Sequence, residues 1–152
     1  MINRRAAAGI VVSASVFVAI VMSEGFSDKA YIPVPGDVPT IGFGSTDGVK
    51  LGDTITAPKA VARALSDIQK YEGALKKCVK VPLSQGEYDA YVSLAYNIGP
   101  SAFCGSTLVK KLNSGDYAGA CQQILIWDKF KGKPLRGLTL RRQREYQLCV
   151  SS

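Results

Sequence analysis

The sequence predicts an α+β fold: a small β-rich lobe over about residues 30–55 and a larger helical lobe over about 56–152, set around a cleft. Two observations predict it. Residues 31–43 mix Tyr, Ile, Val and Phe with Pro33, Pro35, Gly36 and Gly42, which suits short strands joined by tight turns. From Thr56 onward the apolar residues recur at helical spacing instead.

In chain order, Arg4 and Arg5 come first, followed by seventeen uncharged residues, 6–22. Positive charge before an apolar run is the layout of an export signal. Eight of the seventeen are Ala, Gly or Ser, so the run is weakly hydrophobic. As one helix it would be about 26 Å long, against a hydrocarbon core of roughly 30 Å. No A-x-A-like site separates it from Glu24. A buried N-terminal helix is the competing expectation.

Tyr31, Ile32 and Val34, then Val38, Ile41 and Phe43, are the expected strand residues, with a turn at Pro35-Gly36-Asp37. Thr56 and Pro58 open a helix whose apolar face is Val61, Ala64, Leu65, Ile68 and Leu75. Ser84 with Glu87 reads as a capping box for a helix that Gly99-Pro100 ends. Further helices are expected over 107–113, through Tyr117, Cys121, Ile124 and Trp127, and over 138–148, with a loop at 131–134 and Trp127 in the core.

The chain has no histidine. Ser-His-Asp and Cys-His catalytic sets are therefore impossible, as are the usual His-containing zinc sites. Nineteen basic against twelve acidic residues leave +7, which favours an anionic partner: nucleic acid, acidic membrane or bacterial wall. No nucleic-acid-binding motif accompanies the charge, so no nucleic acid partner is expected. The four cysteines have no C-x-x-C spacing, and an even count behind an export-like N-terminus suggests two disulfides in an oxidising compartment.

Glu24 and Asp37 bracket the start of the β-rich stretch, and a pair of carboxylates is the minimal apparatus for cleaving a glycosidic bond. At these residues the sequence resembles the phage-type lysozymes, the muramidases of glycoside hydrolase family 24. The resemblance is carried by Glu24-Gly25, Ala30-Tyr31, Thr40-Ile41-Gly42-Phe43-Gly44, Ala95-Tyr96-Asn97-Ile98-Gly99, Phe103-Cys104-Gly105-Ser106-Thr107-Leu108, Trp127 and Gly137-Leu138-Thr139-Leu140-Arg141-Arg142. It implies hydrolysis of the β-1,4 bond between N-acetylmuramic acid and N-acetylglucosamine in peptidoglycan by a monomer that needs no cofactor or metal. Residues 1–23 resemble the signal-arrest-release segment of one endolysin subgroup. That likeness implies export through the inner membrane, tethering there, and later release into the periplasm of the chain at its full length, with 24–152 as its catalytic domain.

The resemblance makes Glu24 the general acid and Arg141 its basic partner. The family's usual offsets for the second carboxylate, nine after the Glu and six before the Thr, fall on Pro33 and Val34. Asp37, the sole carboxylate between Ala30 and Thr40, takes that role by elimination, and a plain turn aspartate is the alternative. Thr40 would help Asp37 hold a water. Tyr96, Asn97, Phe103 and Ser106 match groove-lining positions, with Asn97 the best-suited polar contact for a sugar. Of the three pairings four cysteines allow, Cys78–Cys104 and Cys121–Cys149 are expected, each closing a loop of under thirty residues. A lytic transglycosylase, which needs one Glu and no water-positioning pair, and a non-catalytic membrane-tethered wall-binding protein are the rival functions.

Overall fold

The structure, a computed structural model, describes residues 1–151. The chain forms two compact units: Ala14–Lys70 on its own, and Met1–Ser13 together with Tyr71–Ser152.

In the first unit, α1 (Ala14–Glu24) ends at Gly25, whose φ of +68° supplies the left-handed residue that turns the chain out of a helix. β1 (Ser27–Tyr31) then pairs antiparallel with β2 (Thr40–Gly42), Ser27 opposite Gly42 and Tyr31 opposite Thr40. The other edge of β1 bonds residues 53–55 through Ala30 N–H to Asp53 O and Asp28 O from Ile55 N–H. The ladder begins earlier than the apolar pattern suggests. Ile32, Val34 and Val38 lie outside it and are exposed, because Pro33 and Pro35 cannot continue a paired strand. Val34 O accepts from Asp37 N across Pro35 and Gly36 (φ +86°), a type II turn in which each residue suits its position. The N-terminal part of α2 (Ala57–Cys78), as far as Lys70, closes the unit, with Ala60, Ala64 and Ile68 buried beside Ile41 and Val49 among the core residues.

The uncharged run is not one helix in the folded chain. It makes a single 3-10 turn at Ala7–Gly9, leaves helical geometry, and re-enters it only at Ala14. Among the described residues no helix is long and apolar enough to cross a membrane.

The second unit is built on α3 (Gln85–Ile98), where all ten residues 87–96 are buried. Its capping box is complete: Ser84 accepts from Glu87 N, and Glu87 from Ser84 N. Gly99-Pro100 ends α3, and Pro100 also begins α4 (Pro100–Cys104), since a proline costs nothing at a first helical position. α5 (Thr107–Asn113) and α6 (Tyr117–Gln123) pack on each other, and a 3-10 turn at Ile124–Ile126 follows. The segment expected to loop is a hairpin, β3 (Lys129–Phe130) and β4 (Lys133–Pro134), turned by Lys131 and Gly132, both at positive φ. α7 (Arg136–Val150) packs along α3. Disulfides join Cys78 to Cys104 and Cys121 to Cys149, with Cα atoms 5.7 Å apart in each. The N-terminal residues belong to this unit through a two-way backbone pairing of Arg5 with Leu83 at 2.8 Å.

A helix buried on every side must pair its polar groups internally. α3 carries Glu87, Asp89 and Ser93 in its buried stretch. Arg4 answers Glu87, the Ser13 amide answers Asp89, and Glu145 of α7 answers Ser93.

Candidate active site

Glu24 is the last residue of α1 and half-buried. Because β1 starts three residues later and pairs Ser27 with Gly42, the hairpin returns the chain to the helix end, and the rings of Phe26 and Phe43 meet at 5.3 Å. Gly44 then lies against the carboxyl: a Cβ there would sit 3.3 Å from Glu24 Oε2. The motif Thr40-Ile41-Gly42-Phe43-Gly44 thus has a physical reason. Ile41 and Ser45 exchange both backbone hydrogen bonds, and so tight a reversal needs Gly42 at φ +65° and Gly44 at φ +85°. Ser45 Oγ donates to Asp67 Oδ2 at 2.6 Å, both groups buried, which ties the turn to α2. Neither Ser45 nor Asp67 stands out in the sequence, for their pairing spans 22 residues.

Asp37 is exposed at the end of its turn, where Oδ1 accepts from Val38 N at 2.8 Å. Thr40 is buried, and its hydroxyl donates to Val38 O at 3.2 Å. Both side chains are therefore set by one residue, Val38, and the Thr40 oxygen keeps its lone pairs for accepting.

In the second unit, Tyr96 is largely buried with its ring edge-on to Tyr71 at 5.3 Å, and Asn97 is half-exposed. Phe103 has no exposed surface and packs in the core against Tyr91 at 5.8 Å. Ser106 is the N-cap of α5, accepting from Val109 N and donating to Phe103 O. Trp127 is half-buried rather than enclosed. Arg141 directs Nε toward Glu145 Oε1 at 3.4 Å and donates to Ser93 O. Arg142, wholly buried, meets Glu145 Oε2 at 2.8 Å, and Ser93 Oγ donates to Oε1 at 2.6 Å. Burial pushes the Glu145 carboxyl above its ordinary range, and Arg142 is the strongest pull in the other direction. Glu145 is a residue the sequence reading missed, although its spacing of three and four from the two arginines was visible.

The family model for phage lysozyme matches residues 21–145, from just before Glu24 to Glu145. The chain belongs to the phage lysozyme family. Among its relatives, the endolysin of Salmonella phage P22 is 45% identical over 133 residues, covering 84% of this chain and 90% of that one. The SAR-endolysin of Enterobacteria phage P21 is 31% identical over 156 residues, covering 97% and 94%. A solved endolysin structure from Escherichia coli O157:H7 phage FAHEc1 superposes with a TM-score of 0.77 at 37% identity, covering 93% and 94%.

In this phage lysozyme the Gly44–Glu24 contact makes a separable prediction. Gly44→Ala and Gly48→Ala both force an L side chain into positive φ, costing about 1–2 kcal/mol. Only Gly44→Ala also places a methyl on the carboxyl, since nothing lies within 4 Å of Gly48. Cell-wall turbidity clearing should fall about tenfold in Gly44→Ala alone, while thermal melts shift in both. Equal clearing by the two variants would remove Gly44 from the site.

Proposed function

We infer that this phage lysozyme is a muramidase endolysin that hydrolyses the β-1,4 bond between N-acetylmuramic acid and N-acetylglucosamine in peptidoglycan and so lyses the host cell. The supporting observation is Glu24: a carboxyl at a helix end, laid against Gly44 of the family motif, inside the matched stretch. Glu24 gives its proton to the glycosidic oxygen as that oxygen leaves the muramic C1. Asp37, with Oδ1 already spent on Val38 N, uses Oδ2 to take a proton from water, and Thr40 accepts the water's other hydrogen. The water oxygen bonds to C1 from the opposite face, so configuration inverts and a reducing muramic end is left. Arg141 orients the Glu24 carboxyl. Tyr96 and Asn97 are the sugar contacts, and Phe103 and Ser106 support them from the core and the α5 cap.

Asp37→Asn tests the water-holding role. Clearing should fall about a hundredfold, whereas Asp28→Asn and Asp47→Asn stay near the parent. Products from the parent should carry reducing muramic ends. An active Asp37→Asn protein releasing anhydro-muramic ends would make the enzyme a lytic transglycosylase, and a parent that binds wall without cutting it would make the chain a wall-binding protein.

The same reading places the protein outside the cytoplasm, acting as a monomer with no nucleic acid partner. Residues 1–23 first hold it in the inner membrane as a signal-arrest-release segment, and the chain then leaves for the periplasm, where residues 24–152 work as the catalytic domain. Support comes from Arg4 and Arg5 ahead of the uncharged run and from relatives described as SAR-endolysins.

A further inference from the structure

Three carboxylates in the second unit are buried although nothing in the catalytic scheme uses them: Glu72 of α2, and Glu87 and Asp89 of α3. All three take hydrogen bonds from the N-terminal segment. Arg4 reaches Glu87 through Nη2 at 2.6 Å and through Nε at 3.0 and 3.1 Å, with its guanidinium 3.6 Å above the Tyr117 ring. The Val12 amide donates to Glu72 Oε2 at 3.0 Å, and the Ser13 amide to Asp89 Oδ1 at 2.9 Å. Gln85 holds the intervening backbone by donating to Val11 O. The Glu87 hydrogen bond in turn raises the Arg4 pKa, so the cation is held in its charged form.

These amides have two mutually exclusive sets of partners. In a continuous membrane helix, the N–H groups of residues 12 and 13 bond the carbonyls of residues 8 and 9. In the folded chain the helix is broken there, and the same groups bond carboxylates instead. Arg4 is divided in the same way: before release it is the positive charge that orients the segment, and afterwards it neutralises a carboxylate 2% exposed. With residues 1–13 in a bilayer, Glu87 would lose Arg4, Glu72 the Val12 amide and Asp89 the Ser13 amide, while the bonds from Ser84 N, Tyr88 and Gln85 stay within the lobe. A buried carboxylate stripped of its counter-charge is strongly unfavourable.

We propose that Glu72, Glu87 and Asp89 form a receiving site for this chain's own residues 4–13, and that its occupation by Arg4 and the Val12 and Ser13 amides latches the released segment and prevents its return to the membrane. The proposal rests on the release reading above. It makes release a change of hydrogen-bond partners with a defined end point.

The test uses the full chain in bacterial cells, as parent, Arg4→Gln, Glu87→Gln and the double variant, fractionated before and after an uncoupler. The fractions taken before the uncoupler show whether each variant enters the membrane, which separates a defect in export. After it, the parent should move to the soluble fraction at full length. Each single variant should show a soluble-to-membrane ratio about tenfold lower, and the double variant no lower than the singles, because both changes remove one contact. Should Glu87→Gln yield no folded protein, Arg4→Gln leaves every lobe residue in place and carries the comparison alone. Single variants that partition like the parent, or losses that add in the double variant, would overturn the latch while leaving release intact. A parent that stays in the membrane, or becomes soluble only as a shortened chain, would overturn the release reading and the latch with it.

Discussion

Glu24→Gln is expected to clear peptidoglycan at least about a hundredfold more slowly than the parent. Gln keeps the size and the planar end group of Glu but has no proton to deliver to a leaving sugar oxygen. The loss should therefore fall on turnover and spare binding: the variant should still sediment with insoluble peptidoglycan. Glu24 lies at the end of α1 beside a glycine, outside the packed core, so the melting curve should change by about 1 kcal/mol or less. Both readouts are needed, because a variant that neither cuts nor melts like the parent says nothing about protons. A Gln variant that clears at the parent rate would remove Glu24 from the mechanism.

The second large effect is on stability. Arg142 is fully buried with Glu145 at 2.8 Å, and Arg142→Met leaves that carboxylate with its main counter-charge gone. Breaking a buried pair from one side costs about 3–5 kcal/mol, or about 10 °C in Tm for a chain of this size. The loss should depend on pH in a definite direction. Burial already raises the Glu145 pKa above its ordinary 4.5, and removing Arg142 raises it further. In the window between 4.5 and that raised value the folded variant holds a proton that the unfolded chain has lost. Stability is thus fully present below 4.5 and declines as pH rises through the window. Urea midpoints should show the gap to the parent narrowing on acidification toward 4.5. Adding Glu145→Gln should recover part of the loss at neutral pH, whereas a pH-independent gap would show that Arg142 acts by packing alone.

Much of this was legible because it is local. The capping box of α3 links positions three apart, Ser84 and Glu87, and the hairpin turn is written in a proline that fixes φ at Pro35 and a glycine that admits positive φ at Gly36. Glu24 was legible through the glycines that follow it, since Gly25, Gly42 and Gly44 each answer a positive φ. The parts that were not legible depend on distant partners. Residues 6–22 have the composition of one helix, yet the backbone of residues 11–13 is bonded by side chains sixty and more positions away. Phe103 and Ser106 match groove positions by motif, yet one fills the core and the other caps a helix, a distinction that burial makes and spacing does not. α4 was hidden because Gly99-Pro100 reads as a stop, and here the same proline is also a start.

The two bridges have a consequence for control of the enzyme. All four cysteines lie between positions 78 and 149 and all are paired, so the first 77 residues contain no sulfhydryl that could trade bonds with the rest of the chain. Activation by thiol exchange between the N-terminal segment and the rest of the chain is therefore closed to this enzyme. The bridges tie residues 78–149 to one another, and apart from the chain itself every tie between the N-terminal segment and that stretch is non-covalent.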